Sequence, residues 1–213
     1  MKIMQLLFTL YYITIIGVVT LSGCVHMRTP HPNSNRMAKL DGLPGLVLSH
    51  LADYLSPEET ARLSMTCRRL HDVLPRFMVI RGDNFKIYGP SGGHWAPELY
   101  FDGPPLPSTV QKLTLSLKWK DQGWGNRKGE IFMKLMRPGA DGRGSDAQEV
   151  AEKYRIFGIA KHEEEEAKTE ITDDPVVALT KRGDFYRFMR NAGGGGGHSL
   201  RVKNFRVVAT LAA

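Results

Sequence analysis

Two tryptophans, five polar side chains and two glycines make up nine consecutive residues, Trp119-Lys120-Asp121-Gln122-Gly123-Trp124-Gly125-Asn126-Arg127. An indole covers an apolar face, while Asp, Gln, Asn and Arg exchange hydrogen bonds with hydroxyls or backbone amides. Together at a strand end and its loop, they have the chemistry of a rim that binds a sugar or a peptide. The candidate rim residues are Asp121, Gln122, Trp124, Asn126 and Arg127. A structural role competes with this, in which Trp119 belongs to the core, Trp124 pins the turn, and Gly123 and Gly125 take positive φ.

Other motifs point away from chemistry. Gly92-Gly93-His94-Trp95 and Phe101-Asp102-Gly103-Pro104-Pro105 flank Glu98-Leu99-Tyr100 and read first as turns, second as a facing loop of the same rim. Gly193 to Gly197 lacks the Lys-Ser/Thr of a phosphate loop and leads into a strand, so it reads as a flexible hairpin loop. Gly142-Arg143-Gly144-Ser145-Asp146-Ala147 spells G-x-G-x-x-A without the surrounding βαβ units that would give it meaning. His162-Glu163-Glu164-Glu165-Glu166 reads as a solvated loop between two strands. Seven scattered histidines and two cysteines offer no metal-ligand spacing, so neither a metal nor a cofactor is predicted. No nucleophile elbow or isolated carboxylate pair marks a catalytic residue, and the chain is not predicted to be an enzyme.

The periodic signal lies upstream. Leu48, Leu51, Ala52 and Leu55 fall at i, i+3, i+4 and i+7, the apolar stripe of a helix. Ser56-Pro57-Glu58-Glu59 then supplies a capping hydroxyl, a proline at the first helical position and a glutamate at the third, a capping box that opens a second helix. Cys67, Leu70 and Leu74 line a third, which Pro75 closes, with Arg62, Arg68 and Arg69 left to solvent. A helical module of this size buries too little to stand alone and must pack on something.

Leu43-Pro44, the Leu48/Leu51/Tyr54-Leu55-Ser56 helix end, the Glu58-Glu59 start and the Leu63...Cys67-Arg68-Arg69 run resemble an F-box. The resemblance covers residues 41–76. Leu70 stands where such motifs often carry an aromatic residue. The resemblance implies docking on a Skp-type adaptor bound to a cullin scaffold, through Leu43, Pro44, Leu48, Leu51, Leu55, Leu63, Cys67 and Arg68. It further implies a non-catalytic subunit of a cullin-RING ubiquitin ligase, working in the cytoplasm or nucleus and bringing in a protein or glycoprotein target. The alternative is a sugar- or peptide-binding module whose helices are structural.

Bulk properties fit a folded chain of 213 residues, 42% hydrophobic and 24% charged. Its net charge of +7 is spread along the chain and not gathered into a stripe, so nucleic acid is not an expected partner. Cys24 and Cys67 give no disulfide framework. Residues 1–25 are largely apolar, and Leu21-Ser22-Gly23-Cys24 spells a lipobox. Three readings stay open for that segment: a cleaved signal, a membrane anchor through residues 3–25, or translation from upstream of a native start at Met27 or Met37. Residues 26–40 form a polar linker.

After Pro75 the apolar period changes from three-to-four to two. Strands are predicted over 77–80, 85–88, 110–120, 129–136, 152–159, 167–172, 184–190 and 199–211. Leu113, Leu115, Leu117 and Trp119 alternate with Lys112, Thr114, Ser116 and Lys118, which marks one face as core. A register change at Lys203-Asn204 predicts a bulge. The expected fold is α+β: a small three-helix module over 41–76, then an antiparallel, jelly-roll-like β-sandwich over 77–213.

Overall fold

The alternating residues of the second half do form strands, and the strands form two sheets. The computed structural model describes residues 43–52, 54–90, 97–139 and 146–212. The apolar N-terminal segment, the linker, Gly92-Gly93-His94-Trp95 and Gly142 through Ser145 lie outside the described residues. No helix among the described residues is long and apolar enough to cross a membrane.

Among the described residues, three short helices come first: α1 (Gly45–Ala52), α2 (Pro57–Ser64) and α3 (Arg68–Val73). Nine strands follow: β1 (Arg76–Arg81), β2 (Phe85–Tyr88), β3 (Glu98–Asp102), β4 (Val110–Lys120), β5 (Glu130–Arg137), β6 (Gln148–Lys153), β7 (Glu165–Ile171), β8 (Phe185–Asn191) and β9 (Ser199–Leu211). A one-turn helix, α4 (Pro175–Ala178), lies between β7 and β8. All pairing is antiparallel. One sheet runs β1-β9-β4-β7, with β2 extending the β1 edge along β9, and the other runs β3-β8-β5-β6. From β2 onward most connections cross between the sheets, which is the winding of a jelly roll.

β9 is the spine of the first sheet because it pairs with β4 on one side and with β1 and β2 in turn on the other. Its Leu200, Val202, Phe205, Val207, Ala209 and Leu211 face the core with Leu113, Leu115, Leu117 and Trp119 of β4. Ile131, Met133 and Leu135 of β5 and Tyr186 and Phe188 of β8 close the core from the second sheet. The predicted bulge is present: Ser116 pairs with Arg206 and Lys118 with Lys203, so three steps on β9 match two on β4. Asn204 takes the extra residue with φ 54°, and its amide donates to Asn84 Oδ1 at 2.8 Å.

Three elements differ from expectation. The strand expected over 152–159 is β6, ending at Lys153. Beyond it Arg155 (φ 49°) and Gly158 (φ 82°) turn the chain, whose amides then bond β5 and its approach through Ile156 to Ile131 and Ala160 to Gly129. β3 was hidden because its register shifts between Leu99 and Phe101, which breaks the alternation. α1 ends at Ala52, so Leu55 lies beyond it, in the approach to the Ser56 cap.

The helices share a core of Leu48, Ala52, Leu70 and Leu74, against which Leu43, Leu63, Cys67 and Val73 pack half-buried. Ser56 and Glu59 form the expected capping box, with Ser56 N–H to Glu59 Oε2 at 2.8 Å and Glu59 N–H to Ser56 Oγ at 3.2 Å. α2 packs against β1. Glu58 on its first turn accepts from Arg206 at 3.0 Å and lies 3.5 Å from Arg81. The helices and the sandwich thus form one compact unit, and the surface the small module lacks is supplied by the first sheet.

Candidate functional site

The β4–β5, β6–β7 and β8–β9 connections all leave one end of the sandwich, because each carries the chain between the sheets at the same end of its strands. The tryptophan-rich stretch is the first of these connections. Trp119, the last inward residue of β4, is wholly buried, its ring 5.7 Å from Phe157 and its indole N–H donating to Glu165 Oε1 at 3.3 Å. It is core, and cannot be a platform.

The rim residues divide into two kinds. Asp121 is only 2% exposed. Its Oδ1 accepts from Gly123 N–H at 2.9 Å and lies 2.7 Å from His162 Nδ1, while its amide donates to Lys161 O. Gln122 donates to the carbonyls of Trp124 and Asn126 at 2.7 and 2.9 Å and accepts from Ser199 N–H at 3.3 Å. Gln122 is spent on building the loop, and Asp121 is buried with Oδ1 engaged and Oδ2 without a hydrogen-bond partner among the described residues, so both shape the rim from beneath. Trp124 stands 65% exposed, and Asn126 and Arg127 are exposed beside it. Gly123 and Gly125 do take positive φ, 92° and 73°.

The glycine run, expected as a flexible hairpin loop, is packed against the β4–β5 loop at two of its positions. A Cβ on Gly197 would stand 2.9 Å from the Trp124 ring, and one on Gly193 would stand 2.3 Å from Lys128 Cβ. Gly193 and Gly194 are buried. Gly193 N–H donates to Asn191 Oδ1, Gly195 N–H to Pro90 O, and Lys128 Nζ to Gly194 O at 3.2 Å. At Gly193 and Gly197 the β4–β5 loop lies where a side chain would be, while a Cβ on Gly196 would meet open space.

Beside this contact is a cleft of about 580 Å³ lined by Arg127, Lys128, Glu130, Tyr154, Arg155 and Ile159. Glu130 is buried and accepts from Arg155 Nε at 3.1 Å. Tyr154, half exposed, stacks on Phe132 with ring centroids 5.3 Å apart. A hydrogen bond to the Glu152 carboxylate pushes its hydroxyl pKa up. Of the cleft only Arg127 was a sequence candidate. Glu130, Tyr154 and Arg155 had no local motif, since they meet only through the pairing of β5 with β6. His162 was read as part of a solvated acidic run. That run is instead tied down: Lys203 pairs with Glu164, Lys118 with Glu166 and Lys161 with Glu165, each within 2.7 Å. No group of metal-ligating side chains occurs among the described residues.

The adaptor-binding candidates lie on the helical module. Leu48 is wholly buried and holds the helices together. Leu43, Leu51, Leu55, Leu63 and Cys67 are half-buried, and Pro44 and Arg68 are exposed. Arg69 donates to Leu43 O at 2.9 Å, which fixes the chain just before Pro44. The periodicity missed the apolar side chains that do face solvent: Leu46 at 75%, Tyr54 at 83% and Met65 at 77% exposure, with Val47.

The fold places the chain among antiparallel β-sandwich proteins. No family model matches it, and no curated protein matches it in sequence. Among solved structures, infectious bursal disease virus (Gx strain) matches with a TM-score of 0.43 and 11% identity, over 64% of this chain and 32% of that one. A family 16 carbohydrate-binding module matches at 0.37 and 10%, over 58% and 74%. The Eiger TNF of S. frugiperda matches at 0.34 and 13%, over 64% and 93%. This chain thus spans about a third of the viral chain. What those proteins bind or assemble into belongs to them, and the functional reading rests on this chain's own residues.

Proposed function

We propose that the chain is a target-recognition subunit of a cullin-RING ubiquitin ligase, with the helical module docking on a Skp-type adaptor and the sandwich presenting a target. The observation that carries this reading is the distribution of exposed apolar side chains. Leu46, Val47, Tyr54 and Met65 crowd into a module of about thirty residues whose own core is already filled by Leu48, Ala52, Leu70 and Leu74. Large apolar groups left outside a completed core mark a surface meant for a partner. Helix-in-groove docking would bury them together with Pro44, and the exposed Arg68 suits an acidic adaptor rim. The ubiquitin chemistry belongs to other subunits, and the working compartment is the cytoplasm or nucleus.

Co-purification of the full chain with a Skp-type adaptor and cullin tests this. Wild type is expected to bring both down, and Leu43→Ala with Pro44→Ala is expected to bring down neither while leaving the sandwich folded. Failure of the wild type would sink the assignment.

A second reading is favoured by the loop end of the sandwich, where the loop of exposed Trp124 runs on to Arg127 and Lys128 in the wall of an open cleft. On this reading the sandwich binds a sugar or peptide in its own right and the helices are scaffold. The two readings are compatible, since they use opposite parts of the chain sequence and no common residue.

A further inference from the structure

The cleft beside the glycine loop carries an inference of its own. We propose that it binds an acidic sugar, a uronate unit within a glycan. This rests on the reading of the sandwich as a ligand-binding module and not on adaptor docking, which involves other residues.

Charge is the first ground. Arg127, Lys128 and Arg155 line the cleft against a single carboxylate, Glu130. The Arg155–Glu130 bond uses Nε and leaves the terminal guanidinium nitrogens of a side chain 64% exposed. Arg127 is exposed. Lys128 spends one of its three donors on Gly194 O. A neutral ligand would leave this excess of positive charge unanswered, whereas a carboxylate suits the planar guanidinium fork.

The walls supply the second ground. The half-exposed Tyr154 ring, backed by Phe132, and Ile159 form an apolar side on which the carbon face of a sugar ring can lie. Glu130, which accepts from Arg155 and Asn191, offers acceptors and no donor, so sugar hydroxyls suit this side of the cleft. A phosphoryl group brings about two negative charges and no hydroxyl donor, so Glu130 repels it more strongly than it repels the single charge of a uronate. At about 580 Å³ the cleft is also roomier than a lone inorganic anion needs.

The site is held in place before any ligand arrives. Arg155 sits at φ 49°, a backbone region that side-chain-bearing residues seldom adopt, with its guanidinium anchored to Glu130. Lys128 is wedged against Gly193, whose missing side chain makes the room. Ligand-binding groups fixed in advance lose less entropy on binding.

The test is an equilibrium titration of the full chain with an oligogalacturonate, with a neutral galactose oligomer and with a phosphopeptide. The acidic oligomer is expected to bind, with the neutral one about tenfold weaker or more. Arg127→Gln, Arg155→Gln and Tyr154→Ala are each expected to weaken the acidic oligomer by about tenfold, Arg127→Gln at an unchanged unfolding midpoint. Arg155→Gln exposes Glu130 to loss of its partner, but Arg127 is on the surface and its variant keeps the test valid if the other unfolds. Absence of oligogalacturonate binding, binding indifferent to Arg127→Gln, or tighter binding of the phosphopeptide would overturn the proposal. Equal binding of the neutral oligomer, lost in Trp124→Ala, would overturn the acidic assignment while leaving the ligand-binding reading intact. If no glycan binds, the acidic-sugar proposal falls and the ligand-binding reading is left only its peptide form.

Discussion

Ser56 and Glu59 show how much a pair of side chains three residues apart can determine, and how openly the sequence displays it. The capping box was legible because its whole mechanism is local: a hydroxyl, a proline and a carboxylate at fixed offsets satisfy amides the helix leaves open. The Ser56 amide, and after it the Ser56 hydroxyl, holds the Glu59 carboxyl below its ordinary value of 4.5. A folded-state pKa below the unfolded one means that the contribution is complete above the ordinary value. It is lost as pH falls through the lower folded value. Glu58 is lowered too, first by a backbone hydrogen bond and then by Arg206 and Arg81, so the helix-to-sheet contact weakens in the same acid range. Glu59→Gln is therefore expected to lower the thermal midpoint at neutral pH and to flatten its decline in acid. A midpoint-against-pH series for the two proteins checks this, and identical slopes below pH 4.5 would contradict it.

Other residues were opaque to sequence because their partners are distant. Asp121 reads as a rim carboxylate until the fold brings His162 to 2.7 Å. The five glycines read as slack until Trp124 and Lys128 are seen lying against them. Glycine types alone do not tell freedom from close approach, since both demand a missing Cβ.

Among the elements, β4 and β9 were readable to the residue because each has one face fully buried and the other wet, so alternation records the burial directly. β5 was harder. Phe132 and Met136 on its outer side are buried along with Ile131, Met133 and Leu135 on its inner side, and the run loses its period. β3 has a register shift in the middle, and α4 is a single turn started by Asp174, too short to show a period. The β9 bulge was legible as an interruption, and its cost is testable. Asn204 holds a left-handed conformation while donating its amide to Asn84. Asn204→Gly should leave stability nearly unchanged, and Asn204→Ile should cost about 1–2 kcal/mol, since only the branched side chain clashes in that region. Denaturant unfolding of both variants distinguishes this from a bulge that tolerates any residue, in which case the two would match wild type.

Taken whole, the molecule has two surfaces that its own core leaves unused. At the loop end of the sandwich, Arg127, Lys128, Glu130, Tyr154, Arg155 and Ile159 line an open cleft. On the helical module, apolar side chains stand outside a completed core. The sandwich and the helices were both visible in the change of period at Pro75. That the helices pack on something was expected, but not that α2 lies on β1 with Glu58 meeting Arg206 across most of the chain.

The central claim is that this face is an adaptor-binding surface, and calorimetric titration of the full chain with a purified Skp-type adaptor tests it most directly. Leu46→Ser with Tyr54→Ser removes two of the most exposed apolar groups without touching the helical core. Wild type should bind, and the double variant should bind at least about tenfold more weakly, as loss of interface anchors does, with an unchanged unfolding midpoint. A wild-type chain that gives no heat of binding, or a double variant that binds as tightly as wild type, would contradict the account.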